Sequence, residues 1–79
     1  MMTAGQLRAA RALLGMDQKV LAELSGVSLP TIQRMEKLGM ERSQAGNVER
    51  VQRALEDGGV EFIPENGGGV GVRLRDRST

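Results

Sequence analysis

Apolar positions recur at helical spacing through the first 57 residues and then switch to strand-like alternation. In TAGQLRAARALL, residues 3–14, Leu7, Ala10 and Leu14 stand at i, i+3 and i+7 and predict a first helix with a narrow buried stripe. Thr3 with Gln6 three places on has the form of a capping box, and Gly15 is a natural stop. Arg8 and Arg11 border the stripe. QKVLAELS, residues 18–25, predicts a second, short helix capped by Asp17, with Leu21 and Ala22 inward and Ser25 small enough to face a neighbouring helix. Gly26 ends it and Val27 plugs the corner.

Ser28 caps a third helix, LPTIQRMEKL, residues 29–38. Pro30 falls in its first turn, where a missing N–H costs little. Ile32 and Met35 face inward, and Gly39 closes the segment. The polar connector MERSQAG, residues 40–46, leads to a fourth helix over about 47–57, with Val48, Val51 and Leu55 as its stripe. Gly46 or Asn47 is the expected cap, with an earlier start at Ser43 left open. Gly58 and Gly59 stop this helix.

The rest of the chain reads as strands. VEFIP, residues 60–64, is a short strand pattern, ENGGG is a turn signal, and GVGVRLR, residues 69–75, puts Val70, Val72 and Leu74 on one face. The final DRST is expected to fray. A two-stranded hairpin is marginal alone. It must pack on the helices or pair with the hairpin of a second subunit. The expected division is a helical unit over 1–58 and a hairpin tail over 59–79, joined in one compact body.

Composition narrows the function. The chain has 79 residues, one aromatic (Phe62), no Cys and no His. One domain is the most this length supports. No cofactor or metal is expected, because Cys and His supply the usual zinc ligands. The common proton shuttle and thiol nucleophile are missing too, and a chain this small has little volume for a substrate pocket, so no enzyme is expected. No apolar run approaches membrane-spanning length and MMTAGQLRAAR lacks a signal-peptide core, so a cytoplasmic protein with no membrane partner is expected. Net charge is only +1, with 11 Lys and Arg against 10 Asp and Glu, so nucleic-acid binding requires basic groups gathered on one face.

Two short helices joined by a tight glycine turn form a helix-turn-helix, which holds the second helix out so that its N-terminal half enters a major groove. Residues 18–37 carry this pattern: Leu21 and Ala22 allow close approach, Gly26 turns, Val27 seals, and Ile32 and Met35 anchor. With the flanking helices and the tail VEFIPENGGGVGVRL, the chain resembles the Cro/repressor-like, or Xre-type, helix-turn-helix regulators over roughly residues 3–57 and in its ending. The resemblance implies a mainly α fold, a four-helix lambda-repressor-like domain followed by a C-terminal β-hairpin. It implies sequence-specific binding of double-stranded operator DNA, by a homodimer on a palindromic site, with residues 28–38 as recognition helix.

The resemblance also assigns residues. Gln18 stands where relatives touch the DNA backbone or an outer base, and Lys19 beside it is in reach of a phosphate. On the third helix Arg34 is the leading candidate for base readout, since its fork matches guanine O6 and N7; Gln33 suits adenine. Leu29 and Pro30 donate no side-chain hydrogen bond and are candidates for thymine methyl contacts. Many relatives carry polar side chains there. Ser28, Thr31 and Lys37 are phosphate candidates, as are Arg42 and Ser43 in the connector, where Glu41 argues mildly against the role. Relatives often pair an Arg in helix one with a Glu late in helix three, which points to an ion pair between Arg11 and Glu36.

Val20 and Leu24 form an apolar pair off the inward face of helix two, a candidate site for another protein. Phe62, Ile63, Val70, Val72 and Leu74 are the candidate dimerisation residues, on a hairpin whose free edge invites pairing. The alternative function is a DNA-binding antitoxin or adaptor controlled by a protein antagonist or toxin.

Overall fold

A computed structural model describes residues 1–75; the expected frayed end, 76–79, lies outside the described residues. Four helices, α1 (Ala4–Leu14), α2 (Gln18–Ser25), α3 (Leu29–Leu38) and α4 (Ala45–Asp57), precede two antiparallel strands, β1 (Val60–Ile63) and β2 (Gly71–Leu74).

The caps explain the boundaries. Thr3 Oγ1 accepts from the Gln6 amide at 3.1 Å while Gln6 Oε1 accepts from the Thr3 amide at 2.9 Å, a reciprocal box that starts α1. Asp17 Oδ1 accepts from the Val20 amide at 2.8 Å and starts α2. Helix α4 differs from expectation. It begins at Ala45, two residues before Asn47, and its N-cap Gln44 makes no side-chain cap bond. The Gln44 carbonyl takes the Asn47 and Val48 amides at 3.0 and 3.1 Å, so the first turn closes through the backbone. The Asn47 side chain instead accepts from Arg50 at 3.1 Å.

Strand β2 is also shorter than the expected run from 69 to 75. Gly67 and Gly69 have φ of 97° and 86°, outside the extended region, so pairing begins only at Gly71. Val70 therefore sits in the loop and shares no strand face with Val72 and Leu74. In the hairpin register Val60 lies opposite Leu74, Glu61 opposite Arg73, Phe62 opposite Val72, and Ile63 opposite Gly71. Glu61 and Arg73 form an ion pair at 2.8 Å on the exposed face.

Leu7, Ala10, Leu21, Ile32, Met35, Val51, Leu55 and Val60 are fully shielded from solvent, and Met2, Val27, Met40 and Val48 nearly so. Every helix contributes to this core, and β1 closes it through Val60. Burying each large aliphatic side chain stabilises the fold by roughly 1.5–3 kcal/mol. The hairpin packs on α1 and α4 of its own chain, with Phe62 and Val72 against the core. Gln6 fastens it there: its buried amide nitrogen donates to the carbonyls of Gly71 at 2.9 Å and Ile63 at 3.3 Å. One side chain thus satisfies the helix cap and joins the loop end of the hairpin to α1.

Candidate nucleic-acid interface

The turn between α2 and α3 rests on Gly26, whose φ of 73° is the left-handed conformation that a side chain disfavours. Val27 is buried behind it, and its amide donates to Ser25 Oγ at 3.2 Å. Ser28 then caps α3: its Oγ accepts from the Thr31 amide at 3.3 Å and donates to Thr31 Oγ1 at 2.8 Å. The Ser28 hydroxyl is thereby committed to its own helix, while the Thr31 hydroxyl keeps its proton to donate.

Helix α3 has two unlike sides. Ile32, Met35 and Glu36 are buried against the body. Pro30, Gln33, Arg34 and Lys37 are exposed, and Leu29 and Thr31 are half-buried near the leading end. The side turned away from the core therefore offers one guanidinium, one ammonium and one amide, with an apolar tip. Lys19 on α2 is exposed as well. In the connector to α4, Arg42 is exposed while Ser43 is half-buried; its Oγ is shielded and has no hydrogen-bond partner among the described residues.

The back of α3 is held by a polar cluster around Glu36. Arg11 Nε and Nη2 donate to its two carboxylate oxygens at 2.6 and 3.0 Å, and Arg11 Nη1 donates to the Met16 carbonyl at 2.9 Å. The two side chains are 21% and 6% exposed, so water screens the pair only from the arginine side. Gln18 joins them: its amide nitrogen donates to Glu36 at 3.0 Å, so this candidate phosphate contact is anchored on the carboxylate and keeps its second N–H for another acceptor. Burial alone would push the Glu36 carboxyl up. The hydrogen bonds from Arg11 and Gln18 and the charges of Arg11 and Arg8 outweigh it and hold the carboxyl below its ordinary range. Arg11 is raised in turn, first by its hydrogen bond to Glu36, and stays charged.

Two contributors escape the sequence reading. Arg8 donates to the backbone carbonyl of Glu36. Its signal was its position: three residues before Arg11, it lies on the same side of the first helix. Gln6, read as a capping residue, also ties the hairpin. A polar residue four places before the buried Ala10 stands on the inward face, and a buried amide there needs acceptors.

The hairpin candidates separate by exposure. Phe62 and Val72 pack on the chain's own core and Ile63 is half-buried, whereas Val70 and Leu74 are 46% and 40% exposed. On α2, Val20 and Leu24 are 41% and 62% exposed. Among the described residues no group of acidic side chains is placed to hold a metal ion, and no helix is long and apolar enough to cross a membrane.

A helix-turn-helix family model matches residues 7–55, more than half of the chain and the whole of α2 and α3. No curated protein sequence matches the chain. The match spans the capped helix pair, its glycine turn and the clamped third helix, and the chain belongs to the Xre/Cro-like helix-turn-helix family of DNA-binding transcription regulators.

Proposed function

We propose that the chain is a cytoplasmic regulator that binds a palindromic operator as a homodimer, with α3 of each subunit in the major groove. The observation that carries this reading is the division of α3: Ile32, Met35 and Glu36 are fixed to the body while Gln33, Arg34 and Lys37 are exposed together. In this reading Arg34 and Gln33 contact base edges, and Leu29 and Pro30 meet thymine methyls. Gln18, Lys19, Ser28, Thr31, Lys37, Arg42 and Ser43 hold the backbone. Ser28 would do so through its backbone amide, since its hydroxyl caps the helix. Exposed Val70 and Leu74, with Ile63 beside them, are the groups of the hairpin left for a second subunit, while Phe62 and Val72 support that surface from within. Two recognition helices then lie about one helical turn apart, roughly 34 Å.

The test is a fluorescence-anisotropy titration against the duplex upstream of the protein's own coding sequence, beside a scrambled duplex. Tight, salt-sensitive binding to the first alone is expected, and equal weak binding to both counts against self-regulation through that site. Subunit number is read by light scattering. Lysine at both Val70 and Leu74 is expected to give monomers, and an unchanged dimer would remove the hairpin from the interface.

One observation favours a second reading, in which a protein antagonist or toxin controls the DNA-bound regulator. Val20 and Leu24 are apolar, adjacent on α2 and exposed. Co-purification of a stoichiometric partner, lost on Leu24→Lys, would support it.

A further inference from the structure

Glu36 is gripped at two places by one neighbour. Arg11 takes its carboxylate, and Arg8 takes its backbone carbonyl. The two arginines are three residues apart, so they leave the same side of α1 and arrive side by side on α3. The carbonyl matters because Glu36 is in the last turn of α3, where backbone oxygens have no partner within the helix. Among the described residues, the segment after α3 takes up the Met35 carbonyl, through the Gly39 amide at 2.9 Å. A guanidinium on the next oxygen also places positive charge at the negative end of the helix dipole.

We infer that Arg8 is a positioning residue for DNA reading, which fixes the rotation of α3 by capping its C-terminal end from α1. The bonds to the Glu36 carboxylate act through a side chain with rotatable bonds, so on their own they let the helix roll. A second bond to the backbone removes the freedom, because a carbonyl cannot change its angle without turning the helix. Ser28 caps the leading end within α3 itself, and buried Ile32 and Met35 seat the middle on the core, so the Arg8 bond adds the hold at the trailing end. Rolling would swing Gln33 and Arg34 out of register with the base edges, while the charges of Arg34 and Lys37 stay on the exposed side of α3 and still attract phosphates. Arg8 thus acts on specificity and makes no contact with DNA. This inference rests on α3 being the reading helix.

The test compares wild type with Arg8→Met, which keeps the alkyl stem, and with Arg8→Lys, which keeps the charge. The probe is a duplex that the wild-type protein selects from a random pool, titrated beside an unselected duplex over a range of salt. For Arg8→Met, binding to the selected duplex falls about tenfold, the size of one charge-assisted hydrogen bond. Binding to the unselected duplex and the salt slope stay as in wild type, and Arg8→Lys lies between the two. Wild-type affinity for the selected duplex would overturn the inference. So would an equal loss on both duplexes with a salt slope smaller by about 0.9, which marks a lost phosphate contact. Amide exchange without DNA gives an independent arm: the Gly39 N–H exchanges faster in Arg8→Met if Arg8 caps the helix, and equal rates would refute the clamp. If the wild type selects no duplex, DNA reading by α3 fails and takes the specificity role with it, while the exchange arm still decides the cap.

Discussion

Replacing Glu36 by alanine removes the acceptor of three hydrogen bonds, at 2.6, 3.0 and 3.0 Å, two from Arg11 and one from Gln18. It also leaves a guanidinium beside a cavity, with the Met16 carbonyl as its remaining acceptor in this cluster. Breaking a buried pair by removing one partner costs about 3–5 kcal/mol. Arg11 is 21% exposed and can recruit water, so the lower end, about 3 kcal/mol, applies here. A chain of this length has a total stability of roughly 4–12 kcal/mol. The loss is thus a large share and lowers the thermal midpoint by about 12–24 °C. The assay is circular dichroism against temperature and urea at neutral pH, on wild type, Glu36→Ala, Arg11→Met and the double variant Arg11→Met/Glu36→Leu. The double variant is expected to be more stable than the sum of single losses predicts, because no charge is left unpaired. A Glu36→Ala loss below about 0.5 kcal/mol, or additive single losses, would refute the account of the clamp.

Acid should erase part of the same effect. The folded Glu36 carboxyl titrates below its ordinary value of 4.5, so its contribution is complete above that pH and is lost as pH falls through the lower folded-state value. The stability gap between wild type and Glu36→Gln is therefore expected to narrow below pH 4.5 in acid melts, and a constant gap would contradict the pairing. Gln6→Leu fills similar volume but removes the bonds to Ile63, Gly71 and Thr3, and is expected to cost about 1–3 kcal/mol. Hydrogen exchange should then quicken in the hairpin more than in α2 and α3, and uniform quickening would deny Gln6 its local role. At Gly26 an added Cβ meets nothing within 4 Å, so Gly26→Ala is expected to lose about 1–2 kcal/mol from backbone conformation alone, measured by urea denaturation. Wild-type stability there would mean that the turn does not need a left-handed residue.

The local signals in the sequence explain why the helical part was legible. Thr3, Asp17 and Ser28 each carry a side-chain oxygen suited to a cap, and each caps in the structure. Gly15, Gly26 and Gly39 end their helices as expected for residues free to adopt positive φ. The start of α4 was less legible because Gln44 caps only through its backbone and carries no side-chain signature. Val70 is not strand although the alternation of apolar residues runs through it, because the glycine turn breaks the extended backbone as far as Gly69. At the site, the pairing of Arg11 with Glu36 came from resemblance, since the two are 25 positions apart and no local pattern joins them. The position of Arg8 beside Arg11 was legible, but its partner was not, because the acceptor is a backbone carbonyl, which every residue possesses. The double duty of Gln6 was hidden by its fit to a capping box, a sufficient local explanation for the same side chain.

The most direct test of the central claim is Arg34→Ala beside wild type, titrated against the selected duplex and against an unselected one. If α3 reads bases through this exposed side chain, affinity for the selected duplex falls by about 1–3 kcal/mol and discrimination relaxes at one base pair, with non-specific binding nearly kept. Unchanged discrimination in Arg34→Ala would contradict base reading by Arg34 and, with it, the recognition role of the exposed face of α3.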